Sequence, residues 1–231
     1  MVKKKKKKEK AEPLIGIGLP VADMVSPTAY YNHLAAIAAW KSQFKLELIG
    51  VCGCKITRAR NVIASAAMRQ HCTHLLFVDS DHIVPGNMLK LLMENGDAAM
   101  VSGLIHKRYY PYEQVAFAFD KEGKLQPALL KDKTVVKVDA CAMGCTLINL
   151  EKLHLINMPY FVDGYFRHDI NLCLKFKTEL GARVLVDTRI HLGHVGMSEI
   201  VYPENVGLLR RRFNETVIPT TCVIPEGRTD G

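Results

Sequence analysis

The chain has 231 residues, 48% of them hydrophobic and 23% charged, with a formal net charge of +8. That length suits one domain with a substantial core, and without about 18 uninterrupted apolar residues it offers no membrane-spanning helix. Seven of the first ten residues are Lys, so the charge excess sits in a basic arm, Met1–Glu12, with no apolar segment behind it to make a secretory signal.

Taken in order, Leu14–Leu19 reads as a first buried strand closed by Pro20. Ser26-Pro27 opens a helix running to about Phe44, and Leu46–Val51 is a second strand. Thr57 caps a helix with Val62, Ile63, Ala66 and Ala67 as its buried stripe. Leu75–Val78 is a four-residue apolar run, the pattern of a strand buried on both faces. It ends in Asp79-Ser80-Asp81. Pro85–Asn95 is a short helix and Ala98–Ile105 a fourth strand. Three rounds of strand and helix in this stretch predict a doubly wound, mainly parallel α/β sheet.

The pattern then changes. Val115–Phe119, Lys124–Gln126 and Val135–Val138 are short, alternating and separated by turns, which predicts a smaller antiparallel part. Cys145–Asn149 is another strand, approached through Ala142-Met143-Gly144. A helix runs from about Arg167 to Leu180 and stops at Gly181. Arg183–Val186 is the last strand, followed by a His- and Gly-rich segment to Gly196. The organisation expected is a basic tail over 1–12, one domain over 13–200 and a C-terminal tail over 201–231. The seven cysteines are irregularly spaced, as expected of reduced cytoplasmic thiols rather than a disulfide set or a zinc ribbon.

Open α/β sheets place functional groups past the carboxyl ends of their strands, where Asp79 and Asp81 fall. Two acids in an apolar neighbourhood repel each other, and a site that keeps both charged normally supplies a cation. Oxygen ligands point to Mg²⁺ or Mn²⁺ beside a phosphorylated small molecule. Arg60 and Asn61 begin a helix, where backbone N–H groups and a guanidinium both suit phosphate. His106-Lys107-Arg108 ends the fourth strand and could face the same phosphates. His82 is expected to point away from the metal. Each residue also has a plain structural reading: a helix cap for either Asp, a solvated face for Arg60, a backbone-bonded histidine for His194.

With these pieces placed, the sequence resembles a GT-A-fold glycosyltransferase of the family 2 type and its small viral and phage relatives, from about Leu14 to Gly196. Four features carry the resemblance: the strand into Asp79-Ser80-Asp81, Ala59-Arg60-Asn61 opening a helix, His168-Asp169, and His194-Val195-Gly196. Haloacid-type phosphatases also end a strand with Asp-X-Asp, but after their first strand. The resemblance implies a cytoplasmic hexosyl- or pentosyltransferase using Mn²⁺ or Mg²⁺ and a nucleotide-sugar donor. It implies Asp79, Asp81 and His194 as metal ligands, with His191 as the alternative to His194. It implies Pro20, Arg60, Asn61, Asp79, Ser80, Gly103 and Lys107 as donor contacts, Gly144 and His168 as acceptor contacts, and Asp169 as the general base. Glu-Asp is common in the family where this chain has His168-Asp169. The acceptor stays open between a glycan, a small molecule and DNA held through the Lys-rich tail. Two other readings stand beside this one: a metal-dependent phosphoryl or nucleotidyl transfer enzyme, and a nucleic-acid-binding protein with an inactive GT-A-like core.

Overall fold

The computed structural model describes residues 12–21, 25–196 and 200–216, with backbone only for 212–216. The Lys-rich arm over 1–11 lies outside the described residues.

The apolar runs read from the sequence form the centre of a seven-stranded sheet. β1 (Leu14–Val21), β2 (Lys45–Cys52) and β3 (His74–Val78) are parallel neighbours, connected by α1 (Pro27–Lys41) and α2 (Ile56–Arg69). Pro27 sits at the start of α1 as expected, whereas α2 begins one residue before Thr57. β3 is buried on both faces. Leu75 and Phe77 pack with Ile63, Leu172 and Phe176 on one side, and Leu76 and Val78 pack with Ile17, Trp40 and Leu89 on the other. Each such side chain contributes about 1.5–3 kcal/mol through burial, which is why this strand carries no polar alternation.

Beyond β3 come β4 (His82–Ile83), α3 (Met88–Met93) and β5 (Met100–Leu104). The helix expected from Pro85 starts only at Met88, after a turn in which Met88 N–H donates to Pro85 O at 3.0 Å. β6 (Ala116–Phe119), β7 (Leu125–Pro127) and β9 (Ala140–Cys141) make a small antiparallel sheet, with β8 (Val135–Val138) between β7 and β9 in the chain. β10 (Cys145–Asn149), α4 (Leu150–His154), α5 (His168–Leu180) and β11 (Val184–His191) follow, then β12 (Gly193–Val195), β13 (Ile200–Val201) and α6 (Val206–Thr216).

The large sheet has the order β2-β1-β3-β10-β5-β11-β8. β2, β1, β3, β5 and β11 run one way; β10 and β8 run the other. β5 is therefore not the neighbour of β3, as a simple doubly wound order would have it. β10 is inserted between them, and its register sets Cys145 opposite Val78, which delivers Gly144 to the end of β3.

Two further features position the site. β11 runs five residues past the Val186 end read from the sequence, with an irregular register against β5 between Asp187 and His191. Such irregularities bend and re-aim a strand, and the chain then enters β12, which pairs with β4. Residues 201–231 read as a tail in the sequence. Their described part instead joins the fold: Val201, Val206 and Leu209 are buried together with Tyr112 packed against them. Among the described residues no helix is long and apolar enough to cross a membrane, and Cys52, Cys54, Cys72, Cys141, Cys145 and Cys173 are free thiols.

Candidate metal and donor site

The end of β3 is fixed by its neighbour. Asp79 N–H donates to Gly144 O at 2.7 Å, and the chain turns so that His82 N–H reaches Asp79 O at 3.2 Å. Two short strands then face each other, and the register of β4 with β12 places His82 opposite His194. The two imidazoles stack, with centroids 4.3 Å apart and planes at 23°. Asp81 reaches both rings. Its Oδ1 lies 2.9 Å from His82 Nδ1 and its Oδ2 lies 3.3 Å from His194 Nε2. Val195 N–H donates to Asp81 O at 2.8 Å, so backbone as well as side chains hold the three together.

His82 departs from the sequence expectation. It does not point away but is buried, its ring turned to Asp81 and its carbonyl accepting from His33 Nε2 at 2.8 Å. The ring fits because residue 144 is Gly. A Cβ there would lie 2.4 Å from His82 Cε1 and 2.5 Å from Nε2, inside any allowed contact. Burial lowers the pKa of His33.

The protonation of the cluster follows from its partners. His194 Nδ1 lies 2.7 Å from His106 O, and a carbonyl only accepts, so Nδ1 carries a proton. This leaves Nε2 facing a carboxylate oxygen, an arrangement that requires a proton or a metal cation between them. His82 Nε2 is buried with no hydrogen-bond partner. If its proton lies on Nδ1, Nε2 is an orphaned lone pair; if on Nε2, Nδ1 joins the lone pairs directed at Asp81. A bound cation removes the conflict in the second case. Ligand atoms of Asp81, His82 and His194 all fall within 4.8 Å of one another, and a histidine donating its other nitrogen to a carbonyl is the usual support for a metal-ligating imidazole. The residues fit a divalent ion. Burial works to raise the Asp81 carboxyl, but the neighbouring His194 and His82 rings overrule it and hold the group below the usual carboxylate range.

Asp79 is placed differently from Asp81. Both its oxygens accept from Arg60 Nη2, at 2.8 and 2.7 Å. Arg60, expected to face donor phosphates or solvent, has a side chain only 3% exposed. Its Nη1 donates to His168 Nε2 at 2.6 Å, which puts the His168 proton on Nδ1, 3.4 Å from Asp163 Oδ1. Burial first, and the Arg60 charge second, lower the His168 pKa. Removing one member of a buried ion pair costs about 3–5 kcal/mol, so this chain of contacts ties the end of β3 firmly to the start of α5.

A cleft of about 390 Å³ opens over these groups. Asp79, Asp81, His82 and His194 line it, as do Arg60, Lys107, Arg108, Gly144, His168 and Asp169. Lys107 pairs with Glu113 at 2.7 Å and Arg108 with Asp81 Oδ2 at 2.9 Å. Asp169 lies in the first turn of α5, half-buried, with Oδ1 accepting from Ile170 N–H at 2.9 Å.

The remaining residues implied by the resemblance do not line the cleft. Pro20 is buried in β1, paired in register with Val51, and Ser80 lies in the turn after β3. Asn61 bridges backbone: its Nδ2 donates to Thr57 O and Phe161 O, and its Oδ1 accepts from Tyr160 and Phe161 N–H. Gly103 is a packing glycine, since a Cβ would meet Ile190 and Leu192 side chains at 2.8 Å. His191, the alternative ligand, instead pairs with Glu204.

No protein-family model matches this chain, and no curated protein matches it. Among solved structures it resembles A197 from STIV, at 16% identity and a TM-score of 0.59, over 83% of this chain and 91% of that one. It also resembles GalNAc-T7 with UDP, GalNAc and Mn²⁺, at 13% identity and a TM-score of 0.51. That match covers 81% of this chain but only 44% of the other, so the chain spans less than half its length. Together with the mainly parallel sheet and its smaller antiparallel companions, these likenesses give the chain the GT-A fold.

Proposed function

We propose that the protein is a metal-dependent glycosyltransferase that moves a sugar from a nucleoside-diphosphate donor to an acceptor hydroxyl. The observation that carries this is the convergence of Asp81, His82 and His194 at the carboxyl end of β3, in a cleft that also contains Asp169. The GT-A fold, and the UDP and Mn²⁺ of the GalNAc-T7 structure, support the donor class.

Asp81 and His194 would hold the ion, with His82 as a third donor. A carboxylate with imidazoles suits Mn²⁺ better than Mg²⁺, which prefers an all-oxygen shell. When bound, the ion supplies Lewis-acid stabilisation of the negative charge that collects on the leaving diphosphate. Lys107 and Arg108 add positive charge at the same wall. Asp79 acts through Arg60, which fixes the N-terminal turn of α5. Asp169 accepts the proton of the acceptor hydroxyl as it attacks the anomeric carbon. The acceptor lies on the Asp169 side, beside His168 and Gly144. Free cysteines accord with a cytoplasmic location.

The test is a panel of nucleotide sugars with Mn²⁺, read by thermal stabilisation and by the nucleotide released. Stabilisation is expected only when ion and donor are present together, with a nucleoside diphosphate as product. Release of pyrophosphate or free phosphate would instead favour nucleotidyl or phosphoryl transfer. No response to any donor would remove the reading.

A further inference from the structure

We propose that Arg108 is a latch on the metal carboxylate: it neutralises Asp81 until a diphosphate arrives, so that ion and donor load together. The inference rests on the function proposed above. Arg108 Nη1 lies 2.9 Å from Asp81 Oδ2, and that same oxygen faces His194 Nε2 at 3.3 Å. A divalent ion joining Oδ2 to Nε2 would therefore stand beside the guanidinium. Two cations would compete for one oxygen.

The other cations of the cleft are not arranged to do this. Arg60 is buried against Asp79, Lys107 is paired with Glu113, and Arg167, which also lines the cleft, makes no ion pair with Asp81. The Arg108 side chain is 51% exposed, and exposed pairs of this kind are weak and readily exchanged. The segment that carries it is fastened at its base. Lys107 N–H donates to Glu113 O at 2.8 Å, Tyr112 N–H donates to Tyr109 O at 2.8 Å, and Arg210 of α6 donates to Pro111 O. Leaving Asp81 thus requires a swing of one side chain rather than movement of the loop. Its planar fork suits phosphate oxygens, and Arg108 already lines the cleft the donor would enter.

The energetic consequence is coupling. Without an anion, an ion entering at Asp81 must expel the guanidinium and then sit near an unpaired positive charge. With a diphosphate present, both cations have anionic oxygens to bind. Each ligand then strengthens the other by the same factor.

The experiment titrates Mn²⁺ and inorganic pyrophosphate, singly and together, into the full chain by calorimetry, corrected for their association in free solution. In the parent, pyrophosphate is expected to tighten Mn²⁺ binding by about tenfold or more. Arg108→Ala should bind Mn²⁺ alone several-fold more tightly than the parent, bind pyrophosphate more weakly once Mn²⁺ is in place, and lose most of the coupling. Arg108→Lys keeps the positive charge and should leave the affinity for Mn²⁺ alone near the parent value. Melting of the ligand-free variants checks folding, and an exposed side chain should leave it unchanged. If Arg108→Ala binds Mn²⁺ no better than the parent and keeps the coupling, the latch is wrong while the proposed function stands. If neither parent nor variant binds Mn²⁺ in any combination, both fall.

Discussion

Asp81→Asn should abolish Mn²⁺ binding and cut metal-dependent transfer about a thousandfold. A Lewis acid supplies several kcal/mol of transition-state stabilisation, and each 1.4 kcal/mol or so is a factor of ten in rate. The substitution keeps the shape of the side chain and removes the charge at the centre of the cluster. Asp81 is also the shared partner of His82, His194 and Arg108. Without it the two imidazoles lose the anion they share, and the set Asp81, His82 and His194 loses its only carboxylate. The checks are a Mn²⁺ titration of the variant and its transfer rate at saturating Mn²⁺. Retention of more than a tenth of the parent rate would show that the ion is held elsewhere.

Asp169→Asn should separate binding from chemistry. Donor and Mn²⁺ affinity should stay at the parent level while transfer falls by about 10²–10⁴, the usual range for a lost general base. Asp169 sits in the first turn of α5, with one oxygen bonded to Ile170 N–H and the other without a hydrogen-bond partner among the described residues. His168, its neighbour, is locked by Arg60 and so cannot easily take over as base. The competing role is helix N-terminal charge stabilisation, which predicts a loss of about 0.3–1 kcal/mol of stability and no rate effect. Single-turnover rates alongside melting curves distinguish the two. A variant that melts lower but transfers at the parent rate would leave Asp169 as a helix-terminal residue only.

How much of this could be read from the sequence depends on the kind of signal each part carries. β1, β2, β3, β10 and α5 lie within about two residues of their expected bounds, because long apolar runs and a closing Gly are strong local signals. The Asp79–Asp81 pair at a strand end was legible for the same reason. The insertion of β10 between β3 and β5 was not, since strand order depends on contacts distant in sequence. β4 and β12, with two and three residues, are too short to show periodicity, yet they bring His82 to His194. His82, expected to point away from the metal, is turned to Asp81 and His194 by the pairing of β4 with β12, which nothing local in the sequence shows. Arg60 looked like a solvated or phosphate-facing helix residue, and only the fold shows it buried between Asp79 and His168. Asn61 and Gly103 were read as donor contacts, but the folded chain uses one to clamp backbone and the other to let β11 pack closely. Tyr112, against which Val201, Val206 and Leu209 pack, is about ninety positions from them in the chain, so nothing local marked residues 201–216 as part of the fold.

Whether an ion sits at Asp81 is read by anomalous scattering at the manganese edge from crystals grown with Mn²⁺ and UDP. One strong peak is expected beside Asp81 and His194, adjoining the diphosphate, with Arg108 turned from Asp81 to the phosphates. A peak held by other residues, or diphosphate bound in the cleft with no ion between it and Asp81, would contradict this expectation.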